Sequence, residues 1–284
     1  RAPLAMVLTA NVVNIVLDLV LVPGLGFAVK GVAWASLVAE YVGTALGMWL
    51  IGKELAQRPG HWSRAAILHL RDLYALFSAN AALFLRTLLL MFAFAFLTTM
   101  GARQTDTILA ANAILVNLQY LMAYVLDGFA NAAESLTGRA IGARDSAGVG
   151  AIVHECLIWT LAAALVIAII FAVAGPLAIR IVTSVPSVIE TAHRYLPWMV
   201  LSPLVCAWGF LYDGVFVGAQ RAGAMFGVML VAVVVVFLPV WWLTRGFGNH
   251  GLWFAFTAFN AARGLQQHLI FRDWLRHGSL LEVR

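Results

Sequence analysis

Eight long apolar runs, separated by short polar or glycine-containing breaks, set the rhythm of this chain. They fall near residues 3–22, 28–51, 76–100, 107–137, 150–175, 190–218, 223–244 and 250–271. About 20 mostly apolar residues cross the hydrocarbon core as a helix, so each run predicts one membrane span. Lipid cannot satisfy the backbone of an open sheet edge, so the spans must assemble as helices. The predicted fold is an all-α, polytopic helical bundle.

The polar residues inside these runs are not scattered. In the fourth run Asn117, Tyr120, Tyr124, Asp127, Asn131 and Glu134 follow steps of three and four, forming one stripe on a helix. Between them stand mainly Leu, Ala, Val and Met. Such a stripe must face protein or water. An interhelical hydrogen-bond seam is one use for it, but two carboxylates and two tyrosines exceed what a seam needs. Lining of a substrate or ion path is the favoured reading, with Glu134 the weaker acid because Arg139 is close enough to neutralise it.

Asn11, Asn14 and Asp18 share a face of the first run, and Ser36, Glu40 and Thr44 share a face of the second. Consecutive spans are antiparallel neighbours, so these faces can meet. A carboxylate among amide and hydroxyl partners can be tuned between its charged and neutral forms, as proton coupling requires. The same oxygens suit a hard cation such as sodium. Asp213 is a further carboxylate inside an apolar run, in Tyr212-Asp213-Gly214 of the sixth, downstream of Pro197 and Pro203. An ionisable group at membrane depth costs at least about 2.5–3.5 kcal/mol and usually faces a bundle interior or a wet cavity. Arg86 and Arg263 are the internal counter-charges expected to pair with some of these acids.

Composition agrees with the pattern: 63% of residues are hydrophobic and 11% charged, with a mean hydropathy of +0.91. Soluble domains carry about 25% charged residues. The net charge of +5 follows from basic loops. Counted from an inside N-terminus, inside loops hold 11 Lys or Arg and outside loops 5, as the positive-inside rule requires. Both ends are then expected in the cytoplasm. No basic, aromatic-interleaved soluble module suggests nucleic acid.

Cys156 and Cys206 stand alone in separate runs and read as buried thiols. No His, Cys and carboxylate set has metal-ligand spacing, and no phosphate loop, serine elbow or zinc-protease helix occurs. An enzyme is not expected, and neither is a cofactor beyond a coupling ion.

The chain also matches itself. At an offset of 220, nine identities fall over residues 1–50, including Arg1/Arg221, Gly26/Gly246, Gly31/Gly251 and Ala35/Ala255. Both segments run basic start, helix, glycine-containing turn, helix. If spans 1–2 repeat as spans 7–8, spans 3–6 lack upstream counterparts. Four further spans, on the order of 150 residues, are then expected before Arg1 in a parallel repeat of six-helix halves. Residues 1–52 would be the last two helices of a first lobe, 53–75 an interlobe linker and 76–284 a complete second lobe. Within the linker, Trp62 to Leu73 reads as a short amphipathic stretch on the membrane surface.

With these residues in view, the chain resembles the multidrug and toxic compound extrusion (MATE) family, in its DinF-type branch. The stretches that carry the likeness are NVVNIVLDLVLVPGLG (Asn11 to Gly26), VKGVAWASLVAEY (Val29 to Tyr41), LDGFANAAESLTGRAIGARD (Leu126 to Asp145) and LYDGVFVGAQRA (Leu211 to Ala222). The resemblance implies eight helices of a twelve-helix, two-lobed fold, lacking the first four. It implies an N-lobe network in which Asn14, Asp18 and Ser36 match the fifth- and sixth-helix members, with a first-helix Asp upstream. Asp213 would match the tenth-helix Asp of the sodium site in the NorM-type branch. The seventh-helix counterpart carries Arg86 and no acid, so the resemblance favours protons over sodium.

The implied activity is ion-coupled antiport of small organic, often cationic or amphipathic, compounds by alternating access. The implied setting is a bacterial inner membrane, with a monomer in the bilayer. The competing readings are a lipid or lipid-linked precursor flippase and, behind it, a membrane-embedded enzyme acting on lipid.

Overall fold

A computed structural model describes residues 2–57, 63 and 68–278, and among these there is no strand. The chain divides into two compact units, Arg1–His69 and Leu70–Arg284.

The first unit is a helical hairpin of α1 (Ala2–Leu19) and α2 (Ala28–Ala56). Its seam is built from absence of side chain. Gly31, Ala35, Ala39, Gly43 and Gly47, spaced by four, are the buried residues of α2. A Cβ at Gly43 would lie 3.2 Å from that of Ala10, and one at Gly47 would lie 2.4 Å from Met6 Cε. Small residues let membrane helices approach closely where no hydrophobic effect drives them together. Between α1 and α2 the backbone widens into a π turn at Val20–Gly24, which contains Pro23. Proline has no N–H to give and crowds the carbonyl four residues back; an i to i+5 bond, Leu25 N to Val20 O at 2.9 Å, takes over.

The second unit holds α3 (Leu70–Ala102), α4 (Asp106–Gly142), α5 (Ser146–Val182), α6 (Pro186–Gly218), α7 (Ala222–Val231), α8 (Leu238–Thr244) and α9 (Asn249–His277). A π turn, Ala232–Phe237, joins α7 to α8 just ahead of Pro239. Thr105 caps α4 by accepting from Ile108 N at 3.1 Å, and Asp145 caps α5 by accepting from Gly148 N at 2.8 Å.

At the centre, α4 and α6 pack backbone to backbone. A Cβ at Gly214 would fall 2.0 Å from the Ala130 carbonyl oxygen, and one at Gly218 2.4 Å from that of Glu134. A second crossing joins α6 to α9, where a Cβ at Gly264 would lie 2.9 Å from Gly209 N.

Among the described residues, seven helical spans are long and apolar enough to cross a membrane. The eighth expected span is α9, 29 residues long, whose buried face carries Asn249, Asn260, Arg263 and Gln267. Several helices outrun their predicted limits. The first of the second unit begins at Leu70, so Leu70–Leu73 belong to α3 and not to a surface stretch; residues 62 and 64–67 of that stretch lie outside the described residues.

The offset-220 match has a backbone counterpart. Ala28 opens α2 at φ +43, and its equivalent, Gly248, caps α9 at φ +59. Both hairpins also carry a π-wound segment, although at different points along the helix.

Candidate functional site

In the first unit, Asn14 Nδ2 donates to Ser36 Oγ at 3.4 Å, joining α1 to α2. Asp18 lies one turn beyond Asn14. Its Oδ1 is buried and has no hydrogen-bond partner among the described residues. Ser36 and Glu40 each follow a buried alanine of the seam, Ala35 and Ala39, and so sit at its exposed edge. Glu40 and Asp18 form no ion pair among the described residues. The predicted quartet is therefore a linked pair, Asn14 and Ser36, an adjoining unsatisfied acid, and Glu40 pointing outward.

In the second unit the polar stripe of α4 stays on the outer surface. Asn117, Tyr120, Tyr124, Asp127 and Asn131 are exposed, Tyr124 to 73%, and Glu134 is half-buried. Phe94 of α3 stacks on Tyr120 with ring centroids 5.5 Å apart. Glu134 makes no ion pair with Arg139 among the described residues. The opposite face of α4 is less uniform than its pattern suggested, since Asn112 and Gln119 are buried there. Asn112 and Asn249 exchange side-chain hydrogen bonds of 2.8 and 2.9 Å, and Trp253 Nε1 donates to Asn112 Oδ1 at 2.9 Å. Gln119 accepts from Ser202 Oγ at 2.7 Å. These knots satisfy polar groups that lipid could not, and they tie α4 to α6 and α9.

Behind the stripe lies a cluster of charges from four helices. Arg86 of α3 forms an ion pair with Asp213 of α6, whose side chains are 18% and 15% exposed. Gln267 Nε2 of α9 donates to the other Asp213 oxygen at 2.7 Å. Arg263, one turn before Gln267, is 3% exposed and forms no ion pair among the described residues. Its guanidinium lies 5.4 Å from the Phe210 ring centroid, in room left by Gly209. Asp127, on the stripe, is within electrostatic reach of Asp213, Arg263 and Arg86. Arg86 is thus a paired counter-charge, while Arg263 is an intramembrane cation held without a bonded carboxylate. Gln267 and Gly209 had not been singled out; steps of three and four through Asn260, Arg263 and Gln267 were the available signal. Among the described residues, no three His, Cys, Asp or Glu side chains gather as metal ligands do.

The family model MatE matches residues 82–243, more than half of the chain. The chain belongs to the MATE family. It is 37% identical over 282 residues to the DNA damage-inducible protein F of Escherichia coli (strain K12), matching 98% of this chain and 61% of that protein. It is 23% identical to Protein DETOXIFICATION 42 of Arabidopsis thaliana, across 92% of this chain and 50% of that one. Among solved structures, the Vibrio cholerae MATE transporter VcmN in its bent form superposes with a TM-score of 0.80 at 20% identity, over 98% of this chain and 63% of that one. The chain therefore spans between half and two-thirds of the length of these relatives. MATE proteins are membrane transporters, not enzymes, and the resemblance read from the motifs is the family found.

Proposed function

We propose that this chain contributes two N-lobe helices and the C-lobe of an ion-coupled antiporter that exports small organic, often cationic or amphipathic, compounds by alternating access. The observation that carries the proposal is Asp18. It is a carboxylate on an apolar span, with an amide–hydroxyl pair one turn away and, among the described residues, one buried oxygen unsatisfied and no base bonded to it. An acid in that setting is free to take and release an ion. Asn14 and Ser36 hold the neighbouring polar surface; Glu40, at the exposed edge, is the entry-side acid.

The coupling ion in this reading is the proton. A C-lobe cation site at Asp213 would compete with Arg86 and Gln267, which already occupy both carboxylate oxygens. The α4 stripe, with Tyr124, Asp127, Asn131 and Glu134, supplies the substrate face. The setting is the inner membrane of a bacterium, with both ends of the chain in the cytoplasm and a monomer in the bilayer.

Proteoliposomes with an imposed pH or sodium gradient test this directly. Proton-driven export of a lipophilic dye that disappears in Asp18→Asn is expected. Gradient-driven transport that survives in Asp18→Asn removes the coupling assignment. A flippase would be favoured by a groove of unpaired basic residues; Arg86 is paired, and Arg263 alone does not make a groove.

A further inference from the structure

Between α5 and α6 the second unit opens a groove of about 590 Å³, whose walls include Leu165, Ala168 and Ala172 on one side and His193, Pro197 and Leu204 on the other. No Asp, Glu, Lys or Arg lines it. The two alanines leave α5 narrow opposite Pro197, whose ring projects little from α6. At one end His193 closes the groove, its Nε2 3.5 Å from the Pro176 carbonyl oxygen. The groove is open to the outside, since Leu165 and Leu201 of its walls are exposed. From His193 to Leu204 it follows α6 for about 16 Å, at about 1.5 Å per residue.

Charged residues set its depth. On α5 none stands between Glu155 and Arg180, a stretch of 24 residues or about 36 Å of helix, enough to cover a hydrocarbon core of about 30 Å. The middle of that stretch is Ile167 and Ala168. The groove therefore starts at the level of the charges on the α5–α6 turn side and ends, at Leu165, close to the bilayer midplane. It has the length and depth of one leaflet. At its rim stand Arg180, one turn beyond Pro176, and Arg194, beside His193; both are exposed. Glu190 lies 3.7 Å from Arg194, with both side chains largely in the open, a contact worth little. Two basic groups against one acid leave the rim positive.

We propose that this groove is a binding site for one anionic phospholipid, with an acyl chain laid between α5 and α6 and its phosphate at Arg180 and Arg194. The lipid is a resident of the transporter and not its cargo. No hydrophobic effect prefers the groove to bulk lipid. The preference comes from dispersion contacts with two walls at once and from the basic rim facing an anionic headgroup.

Native mass spectrometry of the full chain, delipidated in detergent and titrated with dioleoyl phosphatidylglycerol, tests this. One lipid should be retained more tightly than any that follow, and dioleoylglycerol, with the same chains and no phosphate, should bind at least fivefold more weakly. Ala172→Trp, which fills the groove from an exposed position, should weaken that lipid about tenfold, whereas Ala174→Trp, exposed on another face of α5 at the same depth, should leave it unchanged. Leu201→Trp fills the groove from α6 and serves if the first variant does not fold. Arg194→Gln should weaken the phosphatidylglycerol about fivefold, the scale of one basic residue against an anionic headgroup, and leave dioleoylglycerol unaffected. Equal effects of the two alanine variants would mean an unselective lipid shell. Displacement of the lipid by an equimolar lipophilic dye would make the groove a cargo site, and a dimer lost in Ala172→Trp would make it a contact between copies of the chain. Any of these three results, or no retained lipid in the wild type, would overturn the proposal.

Discussion

The two units treat acids within apolar helices in opposite ways. In the second unit, Asp213 is bonded to Arg86 on one oxygen and to Gln267 on the other. In the first unit, Asp18 has a buried oxygen with no partner among the described residues and no base bonded to it there. A paired acid holds helices together; an unpaired one leaves an oxygen at membrane depth open to an ion. The contrast supports the proposal made above, in which Asp18 is the coupling acid and Asp213 a structural one.

The largest effect that could break this contrast is on transport. Asp18→Asn should reduce proton-driven dye export to the level of empty liposomes while the protein melts within about 2 °C of wild type in detergent, a shift of no more than about 1 kcal/mol for a chain of this size. Asp213→Asn should do the reverse. It strands Arg86, and removing one partner of a buried pair costs about 3–5 kcal/mol, read as a lower melting temperature and poor recovery from the membrane. The double variant Arg86→Gln with Asp213→Asn should regain most of that loss. If Asp213→Asn instead melts normally and loses coupling, the roles of the two units are exchanged.

A smaller effect sharpens the comparison at the level of packing. Both units rely on glycine seams, but they differ in what meets the glycine. At Gly47 the obstacle to a Cβ is the flexible tip of Met6, whereas at Gly214 it is the Ala130 backbone carbonyl. A methionine can swing aside; a helix backbone cannot. Gly214→Ala should therefore cost about 1–3 kcal/mol or more as α4 and α6 are forced apart. Gly47→Ala should cost less, and Gly227→Ala, with nothing within 4 Å, should be neutral or slightly stabilising. Equal losses at Gly47 and Gly214 in thermal melts would contradict this ordering.

How much of this could be read from the residues alone depended on the range of the interaction. Helix existence was legible because the bilayer leaves so few alternatives. The α4 stripe was legible because its members are three and four positions apart. Asn14 and Ser36 lie 22 positions apart yet were foreseeable, since adjacent spans must run antiparallel. Which acid meets Arg86 was not, because its partner is 127 positions away and is chosen by the packing of non-adjacent helices. The buried amides Asn112 and Gln119 were passed over for a related reason. Their partners, Asn249 and Ser202, come from distant helices, so their own helix shows only an isolated polar residue on an apolar face. The space for Arg263 was hidden because it depends on what Gly209 lacks.

The smallest expected effect tests the kinship of the two hairpins. Residues 28 and 248 stand 220 apart, where the internal match places them, and both have positive φ at the start of a helix. Gly248 pays no steric penalty for that conformation, whereas the Cβ of Ala28 crowds the neighbouring carbonyl at a cost of about 1–2 kcal/mol. Glycine also gains entropy in the unfolded chain, which offsets part of any relief. Ala28→Gly should therefore be neutral to stabilising by up to about 1 kcal/mol, a rise of no more than about 2–4 °C in melting temperature. Gly248→Ala should move the other way, because at φ +59 and ψ −132 a Cβ crowds the backbone, with Gln104 Oε1 only 3.4 Å from the new Cβ. If Ala28→Gly destabilises by as much as glycine does in a helix interior, residue 28 is ordinary right-handed backbone, and the two hairpins do not share this turn.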